Sequence, residues 1–294
     1  MEKFEKVFEI LESTGTNWSV EKIRLTTECG KQTGSYGIFR SDNGNWLGTA
    51  KERYEPFQNS RLVENLVDAA DTLNLELTRG GSFKGGARVF YQMSLPDEYV
   101  GKSNVKRFIT AMNSHDGSTS IGFGSTNVVV ICKNKFFRAY RELDKVKHTI
   151  TADIKVSELV KNIQFTMGLD QKMFNQFKRF ADIEMNDEIV QSLVSKLWKV
   201  DVQKNIDSLS TRSKNQIETF ANNLQTEIKL EGKTIWGLFN AVTRYTNHEA
   251  APKDEMKRDE YLMNGTGAAL SNLAFDTLLS YVEKHSHEYV MIEK

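Results

Sequence analysis

Two hydrophobic periods divide this chain of 294 residues. In the first half, short apolar runs alternate with polar positions, the period of strands; in the second, apolar residues recur every three or four positions, the period of helices. The start is an exception: Phe4, Val7, Phe8 and Leu11 make a helical stripe, with Gly15 just past its end. Residues 36–40 and 45–49 flank Asp42-Asn43-Gly44, whose Asn-Gly supplies the positive φ angles of a hairpin turn. Ser60 is placed to cap a helix carrying Leu62, Leu66, Ala69 and Leu73. Residues 75–79 and 88–95 read as strands joined by a glycine-rich loop at 80–86. Residues 105–112, 127–132 and 149–153 read as further strands, and 128–131 (Val-Val-Val-Ile) as the most buried of these.

Helical spacing begins at Ser157 and continues through Phe174, Phe177 and Phe180. It returns at Ile189, Leu193, Leu197 and Trp198, at Ile217, Phe220 and Leu224, and at Trp236, Phe239 and Thr243. A last stripe, Leu270, Leu273, Leu278 and Val282, runs through 265–284, and residues 250–260, with Pro252, read as a charged loop. The expected class is therefore α+β: a β-hairpin-rich N-terminal half with an antiparallel sheet, residues 1–154, and a predominantly helical C-terminal half, residues 155–294.

Charge changes this picture in one place. The chain balances 39 Lys and Arg against 39 Asp and Glu, yet residues 101–180 hold 14 cations against 6 anions. The flanks compensate, with 12 against 15 in residues 1–100 and 13 against 18 in residues 181–294. Phe108, Phe123, Phe136, Phe137, Tyr140, Phe165, Phe174 and Phe177 are interleaved with these cations. Cations hold phosphate and aromatic faces stack on bases, so the composition suits a nucleic-acid surface.

Other classes find less support. No apolar run approaches the roughly 18 residues of a membrane span. The N-terminal MEKFEKVFEILES lacks the apolar stretch and cleavage site of a signal peptide. Cys29 and Cys132 have no histidines at zinc-ligand spacing and no forced reason to pair, so a reduced, cytoplasmic protein without metal or cofactor is expected.

Four strings carry candidate chemistry. Residues 113–118, Asn-Ser-His-Asp-Gly-Ser, read either as a polar turn, with Asp bonding backbone N–H groups, or as a strand end where His115 and Asp116 touch phosphate, bind a metal or move a proton, though one His and one Asp are too few for a metal or catalytic assignment. A hydrolase needs more acidic or nucleophilic partners than that string supplies. The glycines of 80–86 let a backbone approach a ligand and Lys84 adds charge, but the Gly-Lys-Ser/Thr ending of a phosphate loop is absent. Residues 133–147 carry six cations against Glu142 and Asp144 and read as a solvated face or as a binding segment. Residues 236–248 are an amphipathic helix on which Asn240, Arg244 and His248 recur every four positions, aligned as a polar site or as the solvent side.

At these strings the chain resembles the phage- and plasmid-associated family known as domain of unknown function 932. The resemblance runs through residues 42–48, Arg53-Tyr54, Gln58-Asn59, Gly80–Phe83, Gly86 and Arg88–Phe90. It continues through residues 113–118, 130–134 and 147–149, then Trp236, Phe239–Ala241, Thr243, Tyr245, His248 and 265–268. Where the family often has Asn-Thr after the cysteine, this chain has Lys133 and, further on, Phe136; the family's arginine before His-Thr is Lys147. The resemblance implies a mobile-element source and a setting near recombination, single-strand handling and antirestriction genes, but no activity.

Two functions are expected. One is nucleic-acid binding, most concretely single-stranded DNA binding or annealing in recombination, with a homo-oligomer compatible with it. Lys84, Arg88, Lys102, Lys106, Arg107, Lys133, Lys135, Arg138 and Arg141 would then meet the backbone, beside Asn113 and His115, while Phe136, Phe137 or Tyr140 stack. Neutralising about six phosphates would cost roughly a thousandfold in affinity between 50 and 200 mM salt. The alternative is an anti-defence protein that binds and inhibits a host immune or restriction complex, since segregated charge also steers protein association.

Overall fold

The computed structural model describes residues 2–117, 121–131, 133–139, 156–201 and 209–292. The expected strand at 149–153, Cys132, Tyr140 and Arg141 lie outside them. The fold is α+β, with its strands in the N-terminal half and helices dominating the C-terminal half. The described residues group into two compact units that interleave in sequence. Unit 1 draws on Met1–Pro96, Arg107–Thr126 and Ala139–Leu169; unit 2 on Asp97–Lys106, Asn127–Arg138 and Asp170–Lys294.

Unit 1 opens with α1 (Glu2–Ser13), which buries Val7 and Leu11 and leaves Phe4 and Phe8 exposed. Strands β1 (Val20–Thr26), β2 (Gln32–Arg40) and β3 (Trp46–Ala50) form an antiparallel sheet in that order, with the β2–β3 turn carried by Gly44 at φ +70°. Helix α2 (Asn59–Leu73) buries Leu62, Leu66 and Ala69, as its stripe predicts. Its first residue is Asn59 rather than one following a Ser60 cap, because Gln58 and Asn59 are drawn into tertiary bonds.

A five-stranded sheet follows, in the order β4 (Glu76–Phe83), β5 (Arg88–Val100), β6 (Ser103–Ser114), β7 (Gly122–Val129) and β8 (Lys135–Ala139). Residues 80–83 are strand, not loop; the turn is confined to the short 3-10 segment Lys84–Gly86. The glycines serve packing: a Cβ at Gly80 would lie 2.7 Å from Thr14 and 2.8 Å from Tyr91, and one at Gly81 would meet the Phe90 ring. Residues 128–131 are likewise not the most buried strand. Val129 is buried, but Val130 and Ile131 leave the sheet and are exposed, because β7 ends at Val129.

Helix α3 (Val156–Asp182) carries Leu159 and Ile163 in the unit 1 core and Phe174, Phe177 and Phe180 in that of unit 2. Unit 2 continues with α4 (Asp187–Trp198), α5 (Thr211–Glu231), α6 (Ile235–Arg244), α7 (Glu255–Met263) and α8 (Thr266–Ile292). Helix α7 occupies part of the segment expected to be loop; the Asp254 side chain accepts from the Lys257 N–H at 2.9 Å and starts it. Phe136, Phe174, Phe177, Phe180, Trp236, Phe239 and Phe275 form the aromatic centre of this unit, with Phe177 5.6 Å from Phe239, stacked.

Candidate functional site

Asn113 and Ser114 end β6 inside unit 1, and the side chains gathered around them and around His115 hold the fold together. His115 is fully buried, its ring edge-on to Trp18 at 5.4 Å. Asn59 Nδ2 donates to the carbonyls of Thr16 (3.1 Å) and Trp18 (3.3 Å), which fixes Asn59 Oδ1 as the acceptor for His115 Nε2 at 2.9 Å. His115 Nε2 therefore carries a hydrogen. The Tyr54 hydroxyl reaches the Ser114 and His115 carbonyls, and burial, with the Asp116 charge beside it, raises its pKa well above the tyrosine range. Asn113 Nδ2 donates to the Phe57 carbonyl at 3.3 Å. Gly48 is needed here: a Cβ on it would come within 2.8 Å of the Asp116 backbone. Thus the residues around 48, 54, 59 and 113–116, far apart in sequence, meet around one buried imidazole.

Of the remaining expected unit 1 residues, Lys84 is exposed in its turn at φ +52°, Arg88 is half-buried at the start of β5, and Arg107 is buried in β6.

In unit 2 the organising residue is Asn134, in the turn between β7 and β8. It is buried, and Lys133 before it adopts φ +56°, a backbone conformation that costs a non-glycine residue energy. Asn134 Nδ2 donates to the Asn240 carbonyl (3.2 Å) and to Glu227 Oε1 (3.4 Å), so its Oδ1 accepts from His248 Nε2 at 3.1 Å. Arg244 Nη1 also donates to Glu227 Oε1, at 3.2 Å. The four-residue recurrence of Asn240, Arg244 and His248 is thus a convergent face, extended by a π-helical turn at Tyr245–Glu249. Glu227 is fully buried and its carboxyl pKa is raised, first by that burial. Sequence reading missed it and Glu231. Their only signal is that both interrupt the apolar stripe of α5.

The edge strand β8 is closed by side-chain amides. Asn247 exchanges two hydrogen bonds with the Lys135 backbone (3.0 and 2.9 Å), and Asn272 Nδ2 donates to the Phe137 carbonyl at 2.9 Å. Lys135 pairs with the buried Asp259, and Arg138 with Asp276 at 2.8 Å. Phe136 and Phe137 are buried in the core and face no solvent on which a base could stack.

Three cations remain. Lys102 in the β5–β6 turn, Lys106 on β6 and Lys133 are exposed and make no ion pair among the described residues. The Val130 N–H donates to the Asn104 carbonyl at 3.0 Å, which sets the two lysine-bearing turns side by side. Tyr99 and Ile131, each 67% exposed, lie in the same segments. Asp97 and Glu98 precede Tyr99 on β5, the buried Glu231 accepts from Ser103 beside Lys102, and Lys178 pairs with Glu98 at 2.6 Å.

The family described as domain of unknown function (DUF932) matches residues 46–265, about three quarters of the chain. The chain belongs to this family. The matched span contains both buried centres, around His115 and around Asn134. No curated protein and no solved structure matches the chain. Among the described residues, no helix is long and apolar enough to cross a membrane.

Proposed function

We propose that the protein binds single-stranded nucleic acid, most concretely single-stranded DNA in recombination, through the paired turns of unit 2. The observation that carries this reading is the set Lys102, Lys106 and Lys133, cations without ion pairs among the described residues, grouped by the Val130–Asn104 bond beside an exposed Tyr99. The lysines neutralise phosphates. Tyr99, not Phe136 or Phe137, offers the face for a base, worth about 1–3 kcal/mol.

Geometry also reduces the expected salt effect. Lys135 and Arg138 already have acidic partners. With three phosphates neutralised the slope against log salt is about −2, so affinity for a single strand falls about twentyfold between 50 and 200 mM salt. Titration of a fluorescent oligonucleotide at the two concentrations checks this. Absence of binding at 50 mM salt overturns the reading and turns the search to a protein partner.

A further inference from the structure

The β5–β6 connection has two residues, Gly101 and Lys102, so these strands run antiparallel with Val100 opposite Ser103 and Tyr99 opposite Asn104. Gly101 takes φ +54°, the positive value that a two-residue hairpin turn needs. The Val130 N–H donates to the Asn104 carbonyl and the Val129 N–H to the Asn134 carbonyl, both at 3.0 Å. These bonds set Val130 opposite Asn104 on one side and opposite Lys133 on the other. Tyr99, Asn104, Val130 and Lys133 therefore make one row across the sheet. Asp97, Lys106 and Val128 make the next.

Burial shows which way the rows face. Val100, Ser103, Val105 and Val129, which alternate with them along the strands, are buried, and Ser103 Oγ donates to Glu231 of α5 on that inner side. Asp97, Tyr99, Lys106, Val130 and Lys133 are exposed, and Asn104 and Val128 half-buried. The outer face thus joins an aromatic ring, a carboxamide, two valines and two lysines, with Lys102 in the adjoining turn. Its one carboxylate, Asp97, is outnumbered by these three lysines, none of which has an ion pair among the described residues.

Asn104 is the unspent member of this face. Its carboxamide makes no hydrogen bond among the described residues, and its Oδ1 is buried without a partner. A buried polar atom left unbonded costs free energy that a ligand's hydrogen bond recovers. With nothing holding it, the carboxamide turns about its soft terminal torsion and presents its donor and its acceptor side by side. A nucleobase on its phosphate chain matches all three parts together: a flat ring for Tyr99, a donor-acceptor edge for Asn104 and anions for the lysines.

We propose that Asn104 reads the hydrogen-bonding edge of the base that stacks on Tyr99. In a duplex the Watson–Crick edge is taken by the complementary base, so Asn104 makes the face selective for single strands.

This rests on the single-strand reading, and the test separates the two. Wild type and Asn104→Leu, which keeps the shape of the side chain and removes its hydrogen bonds, are titrated at 50 mM salt with three fluorescent probes of one length: a thymidine oligonucleotide, the same backbone with abasic sites in place of the bases, and the duplex of the thymidine strand with its complement. Wild type binds the thymidine strand most tightly. Asn104→Leu weakens about fivefold on that strand alone and keeps the wild-type urea midpoint. Tyr99→Ala and Asn104→Leu combined lose less than the product of their separate losses, because one base serves both side chains. Equal losses on the thymidine and abasic chains, or no loss on either, overturn the base-reading role. Wild-type affinity that is the same for those two chains also overturns it and leaves the lysine contacts standing. Absence of binding to every probe overturns the single-strand reading itself, and this role with it.

Discussion

His115 shows how a residue suited to chemistry can be spent on structure. Its Nε2 is held by Asn59, and Trp18 covers the ring. His115→Ala leaves Asn59 Oδ1 buried without its donor and opens a cavity under Trp18, so it should cost about 2–4 kcal/mol of unfolding free energy, measured by urea denaturation. A loss below about 0.5 kcal/mol would contradict the architectural role. Tyr99 is the converse. It is mostly exposed, so Tyr99→Ala should leave stability within about 0.5 kcal/mol of wild type and weaken single-strand binding about tenfold or more. Unchanged affinity would remove it from the interface.

Glu227 adds a pH effect whose sign follows from its raised pKa. Its folded-state pKa lies above the ordinary 4.5, so the folded protein holds the proton more tightly than the unfolded chain. Its contribution to stability is then full below 4.5 and is lost as pH rises from 4.5 through the folded pKa. Urea midpoints across this range check it: the segment flattens in Glu227→Gln, and an unaltered segment would contradict the assignment.

At the scale of elements, legibility followed periodicity. The stripes through Phe174–Phe180, Ile189–Trp198 and Trp236–Thr243 became helices, because burying one face dictates their spacing. What failed was reading a segment from its composition alone. Glycines at 80 and 81 looked like a loop, yet they sit in β4 because Thr14 and neighbouring rings occupy the space of their side chains. The apolar run at 128–131 looked buried, but burial depends on where the strand ends, which composition does not record. The closure of β8 was also illegible, since Asn247 and Asn272 lie more than 100 residues from the backbone they pair. Asn247→Ala removes two bonds from that edge and should cost about 1–3 kcal/mol, with faster amide exchange at Lys135 in native-state hydrogen exchange. Unchanged exchange there would show that the edge is protected by other means.

For the whole molecule, the basic centre of the sequence does not survive as one surface. Its described cations divide between two units, some buried, some ion-paired, and in unit 2 Lys102, Lys106 and Lys133 make no ion pair among the described residues. A charge count along the chain cannot see this, because Asp259 and Asp276 neutralise Lys135 and Arg138 from more than 120 positions away. The convergence of Asn240, Arg244 and His248 was half legible: their spacing put them on one face, but only Asn134 gives that face a destination. The most direct test of the account is the salt dependence of single-strand binding by wild type and by the Lys102→Ala, Lys106→Ala, Lys133→Ala triple variant. The account predicts about a twentyfold loss for wild type between 50 and 200 mM salt and a nearly flat, weak response for the variant. Equal affinities and equal slopes for the two proteins would contradict it.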